Sequence, residues 1–201
     1  VGVEVNTGKA IIKDLTKMTH VLIGGMTNTG KSTTLVSMLD SLLFFNFDKV
    51  ILFVSDFKEN MMLKYYNISN CRYVEPNEES LMSMYKMILD EYYKRVSLFK
   101  SLLIDKNVQC RDIHKYNEIN SDNQLPYIVI AIDEINSACQ MNFKELEINN
   151  MDFNKIRTFL LTKSRSVGIH FIDSVQKATT DQYRKSWRAS IETRICHKMS
   201  E

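Results

Sequence analysis

Gly25-Met26-Thr27-Asn28-Thr29-Gly30-Lys31-Ser32 stands between a short apolar run, Val21-Leu22-Ile23, and a longer stretch from Lys31 to about Phe45. In that stretch Leu35, Met38, Leu39, Leu42 and Leu43 recur at three- and four-residue steps, the period of an amphipathic helix. A turn with glycine at both ends and Lys-Ser at its exit, set between a strand and a helix, fits GxxxxGK(S/T) in the context that the pattern requires. Glycines let the backbone curl so that successive N–H groups face a phosphate, and the helix start adds the positive end of its dipole. Residues Gly25, Met26, Thr27, Asn28, Thr29, Gly30, Lys31, Ser32 and Thr33 are therefore read as a phosphate loop. Lys31 would bridge the β- and γ-phosphates of a nucleotide, and the Ser32 hydroxyl would coordinate Mg²⁺.

Working outward, Val50 to Val54 is a continuous apolar run, as expected of a strand buried on both faces of a parallel sheet, and it completes a βαβ unit. Ile128 to Ile132 is a second such run and ends in Asp133-Glu134. An Asp at that strand tip suits the Mg²⁺ shell, and a Glu directly after it suits polarisation of an attacking water. The same two acids could also open the next helix as cap and first-turn charge. A third core strand is expected at Ile169-His170-Phe171-Ile172, and Gln176 just beyond it could sense the γ-phosphate. Residues 78–105 carry a long helical period, with Glu78 and Glu79 near its start. Shorter helices are expected over 111–118 and 154–166. Val3-Glu4-Val5 and Ala10-Ile11-Ile12 flank Asn6-Thr7-Gly8-Lys9 as an N-terminal β-hairpin within residues 1–18. The alternation of strands and helices predicts a three-layer α/β/α fold with a mostly parallel central sheet.

The 201 residues correspond to one domain, over residues 1–201, with 44% hydrophobic and 25% charged residues, 6 Gly and 2 Pro, which excludes a disordered or collagen-like chain. No apolar run approaches the ~20 residues of a membrane span. Cys71, Cys110, Cys139 and Cys196 lie far apart with no CxxC spacing, which argues against a zinc site or a secreted disulfide framework and for a reducing cytosol. The chain opens at Val1 without an initiator Met, so a processed or excised piece of a longer protein is expected. The net charge of +2 hides an asymmetry: residues 1–154 hold 16 Lys+Arg against 20 Asp+Glu, and residues 155–201 hold 10 against 4. A basic C-terminal quarter suits a polyanion as well as it suits a solvated helix face.

With these elements in order, the sequence resembles the FtsK/SpoIIIE family of DNA-pumping ATPases, within the HerA–FtsK group of RecA-like P-loop motors. The resemblance runs nearly end to end. Thr19 to Gly25 looks like the family's approach to its Walker A loop. Ser55-Asp56-Phe57-Lys58 is similar to Asp-Pro-Lys with Phe57 in place of Pro. Tyr93-Lys94-Arg95, Ile113 and Tyr116-Asn117 resemble the family's long-helix segment and the Tyr-Asn beyond it. Ser164 to His170 resembles Arg-(Ala/Ser)-x-Gly-Ile-His, and Thr193-Arg194-Ile195 resembles Thr-Arg-Ile. Asn28 stands where the family usually has Gly, Ser174-Val175-Gln176-Lys177-Ala178 replaces Ala-Thr-Gln-Arg-Pro, and the chain stops at Glu201 where members continue.

The resemblance implies ATP and Mg²⁺ as cofactors, with Ser32 and Asp133 on the metal and Glu134, Lys31 and Gln176 in catalysis. It also implies a hexameric ring around double-stranded DNA, in the cytoplasm, with membrane attachment only through segments outside this chain. A cation from a neighbouring subunit would be needed, Arg165 first and then Arg157 or Arg194. Lys58 is either a nucleotide contact or the partner of a nearby acid. The departures point to a conjugation or mobile-element relative. Two alternatives stay open: a type VII secretion-like ATPase moving protein, and a nucleotide-binding assembly module with little turnover.

Overall fold

Successive side chains of a strand point to opposite faces of its sheet, and the central strands here are apolar on both. Ile128, Ile130 and Ile132 enter one core while Val129 and Ala131 enter the other. This is the arrangement that continuous apolar runs require. In the computed structural model, which describes residues 2–58, 61–143, 148–176 and 183–198, the chain runs β1 (Gly2–Val3), β2 (Ala10–Ile11), β3 (Val21–Gly24), α1 (Lys31–Asn46), β4 (Val50–Asp56), β5 (Cys71–Tyr73), α2 (Glu78–Lys106), α3 (Ile113–Ile119), β6 (Tyr127–Asp133), α4 (Ile135–Cys139), α5 (Phe153–Lys163), β7 (Ile169–Val175), α6 (Lys185–Ser190) and β8 (Thr193–Cys196). Six strands form one sheet in the order β5-β4-β6-β7-β3-β8, all pairs parallel.

Helix α1 covers one face, with Leu35 and Leu39 against Val21, Ile23, Leu52 and Ile172. The other face carries α2, α5 and α6, through Leu81, Tyr85, Ile88, Ile156, Leu160 and Trp187 against Phe53, Ile130 and Phe171. The three layers expected from the sequence are thus present. Helix starts are set by short polar side chains: Asn77 accepts from Ser80 N, Asp112 from Lys115 N and Asp152 from Lys155 N, at 2.8–2.9 Å, each satisfying a backbone donor that the first helical turn cannot. Helix α2 ends at Asn107, which takes the left-handed conformation.

The hairpin forms but is shorter than the sequence suggests. Among the described residues only Gly2↔Ile11 and Val3↔Ala10 pair, and Val5, expected in the first strand as part of a short apolar run, lies in the turn, 97% exposed. The helix expected over 154–166 ends at Lys163, and a 3₁₀ turn over Arg165–Val167 comes after it. Strands β5 and β8 and helices α4 and α6 carry too few residues for a period to be read. Among the described residues, no helix is long and apolar enough to cross a membrane. Lys177 and Ala178 of the stretch after β7 lie outside the described residues.

Several residues that carry the family resemblance serve the scaffold. Arg95, buried on α2, donates to Val167 O at 2.8 Å and to Glu91, tying α2 to the turn that enters β7. Asn117 pins the loop after α3 by donating to Leu125 O and accepting from Leu125 N. His20 and His170 are buried where β3 and β7 begin. Phe171 N–H donates to His20 Nδ1, so Nε2 carries the hydrogen and donates to Leu161 O at 2.9 Å.

Burial takes His20 down to about 3, from the usual 6.5. The unfolded chain therefore gains a proton near pH 6.5 that the native ring refuses until about pH 3, and stability falls with pH across that window. The expected slope from this residue is about 1.4 kcal/mol per pH unit. Urea denaturation between pH 7.5 and 5 should show it, and His20→Asn should flatten it; an unchanged slope in the variant would contradict the assignment.

Candidate active site

In a parallel sheet every strand delivers its last residue to the same edge. Pairing sets Asp56, the end of β4, opposite Asp133, the end of β6, and the phosphate loop leaves β3 at that edge. Residues 25–33 curl there because two of them take positive φ: Asn28 at 62° and Gly30 at 91°. Asn is among the few side chains that accept this conformation, so its replacement of the family's Gly preserves the turn. Asn28→Gly should leave nucleotide affinity within about twofold, whereas Asn28→Val, β-branched at positive φ, should weaken it about tenfold. Titration with a fluorescent ATP analogue checks both, and a tight-binding Val variant would contradict the strain argument.

Met26, Thr27, Asn28, Gly30, Lys31, Ser32 and Thr33 line a cleft of about 270 Å³ together with Asp56, Lys58, Met61 and Asp133. Gly25 and Thr29 shape the loop from behind: the Thr29 hydroxyl donates to Met26 O at 2.7 Å. Lys31 is buried, and its ammonium donates to Glu134 Oε2 at 2.9 Å and Ser174 Oγ at 3.1 Å, with Asp133 Oδ1 at 3.5 Å. Ser32 Oγ donates to Asp133 Oδ2 at 2.9 Å. A hydroxyl beside a carboxylate is a pair of hard oxygen donors, the chemistry that Mg²⁺ accepts, so the residues fit the ion.

Glu134 stands at the N-cap position of α4, as one reading of the sequence expected, but its side chain does not cap the helix. Its backbone is left-handed, at φ 60°, a strain that for a non-glycine residue costs about 1–3 kcal/mol and concentrates at functional sites. The conformation is held by Glu134 N–H donating to Ser174 Oγ at 3.0 Å. The carboxylate accepts from Gln176 N at 3.1 Å and lies 3.6 Å from Lys58 Nζ. Lys58 is thus the partner of an acid and also a cleft residue. Gln176 reaches the site through its backbone N–H.

Three contributors were not legible as site residues. Ser174 receives Lys31 and Glu134 N–H while donating to Asp133 Oδ1, so its one proton and two lone pairs are all used. The only sequence signal was its substitution for the family's Ala. Asp56 accepts from the backbone N–H of Lys58, Met61 and Met62 at 2.9–3.3 Å, fixing the turn that aims Lys58. His197, just past β8, packs under the phosphate loop.

The arginines separate. Arg157 is fully buried, paired with Asp173, and cannot reach a neighbouring subunit. Arg165 is exposed in the turn before β7, at the sheet edge opposite the phosphate loop, roughly 20 Å from Ser174 at ~3.3 Å per residue. Arg194 is exposed on β8 and donates to Arg188 O.

The fold is shared with the cytoplasmic domain of EssC, with a TM-score of 0.79, 20% identity and coverage of 100% of this chain and 37% of that one. It is also shared with the pCW3 conjugation coupling protein TcpA in its monomer form with ATPγS, with a TM-score of 0.70, 24% identity and coverage of 92% and 50%. Among curated proteins, the DNA translocase SftA of Bacillus subtilis (strain 168) is 28% identical over 202 residues, 96% of this chain and 20% of the relative. The DNA translocase FtsK of Caldanaerobacter subterraneus subsp. tengcongensis is 29% identical over 197 residues, 96% of this chain and 26% of the relative. The chain spans about a fifth to a quarter of the length of these curated relatives. The FtsK/SpoIIIE family model matches residues 1–195, and with its phosphate loop, acidic strand tip and parallel sheet in place, the chain belongs to the FtsK/SpoIIIE family.

Proposed function

We propose that this chain is an ATP-hydrolysing motor domain that moves double-stranded DNA, acting in the cytoplasm as part of a hexameric ring. The observation that carries the reading is the convergence of Lys31, Ser32, Asp133 and Glu134 at one sheet edge, with the Glu134 carboxylate held by two hydrogen-bond donors and an ion pair to Lys58. Lys31 takes up the charge of the β- and γ-phosphates, drawn from Glu134 by the more strongly charged group. Glu134, kept in place by Gln176 N–H and Lys58, then orients and polarises the attacking water as general base. Ser32 and Asp133 would hold Mg²⁺, which would supply neutralisation of phosphate charge. Arg165, remote from the nucleotide of its own subunit, serves that of its neighbour, where a cation stabilises developing charge.

DNA is favoured as substrate because the curated relatives are named DNA translocases, and because Arg184, Lys185, Arg194 and Lys198 are exposed around α6 and β8. A grip on backbone phosphates releases counterions, so affinity should fall as salt rises with little dependence on sequence. Fluorescence anisotropy with two unrelated duplexes should give matching log Kd against log[salt] lines. Arg184→Ala with Lys185→Ala should reduce the slope by about two. Salt-independent or absent duplex binding would overturn the DNA reading and leave a motor for protein or an assembly module.

A further inference from the structure

The phosphate loop is held from beneath by a residue from the other end of the chain. β8 is paired with β3 on one side, and the two strands continue as a ladder beyond their ends: His197 N–H donates to Gly24 O at 2.8 Å, and Met26 N–H donates to Lys198 O at 2.9 Å. The ladder places the His197 ring under the loop. Its Nδ1 lies 2.9 Å from Thr29 O; a carbonyl only accepts, so Nδ1 carries the hydrogen. In the neutral ring Nε2 is then the acceptor for the Thr34 hydroxyl, at 3.1 Å. The ring thus spans from the loop to the first turn of α1.

Gly25 shows how close the approach is. A Cβ at that position would lie 2.6 Å from the His197 Cβ, so the glycine that opens the motif is required here by His197 as well as by any phosphate. Thr29 O, turned away from the cleft, would otherwise be free to rotate with its peptide, carrying the Gly30 N–H with it. That N–H is one of the donors that a phosphate loop aims at its ligand.

We propose that His197 is a positioning residue for the nucleotide: by fixing the Thr29–Gly30 peptide it pre-orders the loop, and it links the seating of β8 to nucleotide affinity. The proposal rests on the reading of residues 25–33 as a nucleotide site. Pre-ordering lowers the cost of binding without adding a contact to the ligand, and coupling of this kind is reciprocal.

Asn can present an amide N–H where Nδ1–H stands, whereas the longer Gln reaches toward the Nε2 position. In the 201-residue chain, His197→Ala and His197→Gln should raise the Kd of a fluorescent ATP analogue with Mg²⁺ about tenfold, and His197→Asn should stay within about twofold of wild type. In hydrolysis the Ala and Gln variants should show raised KM with little change in kcat. Thermal melts run beside each titration. Wild-type affinity in all three variants would overturn the proposal. So would equal weakening of Asn and Gln, because a merely structural role does not distinguish them. If the Ala variant does not fold, the Asn–Gln comparison still decides. Failure of the wild-type chain to bind nucleotide would sink the nucleotide reading itself, and the proposal with it.

Discussion

Glu134→Gln is expected to lower steady-state ATP hydrolysis by about 10³-fold, within the 10²–10⁴ that a positioned general base contributes, while Mg²⁺-ATP still binds. Gln keeps the length of the side chain and a carbonyl oxygen for the Gln176 N–H that now reaches Oε1. What it loses is the charge that draws Lys31 to 2.9 Å and Lys58 to 3.6 Å. Losing the Lys31 pairing also removes a competitor for the ammonium, so nucleotide affinity should hold or rise. Lys31→Ala should do the reverse. It removes the proposed phosphate contact and leaves Asp133 and Glu134 facing each other with less cationic compensation, so binding and turnover should fall together. Equilibrium binding measured beside turnover separates the two variants. Undiminished hydrolysis in Glu134→Gln would remove Glu134 from the chemistry.

The second large effect is on stability. Arg157 and Asp173 form a fully buried ion pair between α5 and β7. Tyr183 donates to the carboxylate at 2.6 Å, Arg157 donates to Tyr85, and the guanidinium lies 4.7 Å from the centre of the Trp187 ring. Burial opposes the charge, but Asp173 and the tyrosines outweigh it and hold the guanidinium well above its usual pKa; burial likewise pushes Tyr85 up to about 12. Asp173→Asn leaves a buried guanidinium without its anion, which should cost about 3–5 kcal/mol, or roughly 10 °C in Tm for a chain of this size. The double replacement Arg157→Met with Asp173→Leu should recover only part of that, because the desolvation cost of both ions disappears while the buried Tyr183 and Tyr85 hydroxyls lose their partners. Urea and thermal denaturation of both variants measure this. A single variant within about 1 kcal/mol of wild type would show that the pair is not sealed from water.

Residues were legible in the sequence where they leave a local signature. The phosphate loop, the two buried strands and the acids at the end of β6 carry periodicity or spacing, and the structure places them at one edge. The long helix was visible because 29 residues hold many turns of a pattern. Strand β8 was not, with four residues of alternating exposure. Its importance lies in where the parallel ladder takes His197, and no local pattern encodes that. Ser174 was hidden for a related reason: a serine in a strand is unremarkable until β6 and β7 pair and set it between Lys31 and Asp133. Arg157 shows the opposite error. An arginine in a basic segment reads as surface, but Asp173, 16 residues away, draws it into the core.

If this site hydrolyses ATP to move DNA, the most direct test is steady-state ATP hydrolysis by the chain, with and without linear double-stranded DNA at low salt. Hydrolysis that rises with DNA and disappears in Lys31→Ala and Glu134→Gln is the expected result. Hydrolysis of the same rate with and without DNA would contradict the DNA motor, and nucleotide binding with no hydrolysis would contradict the motor altogether.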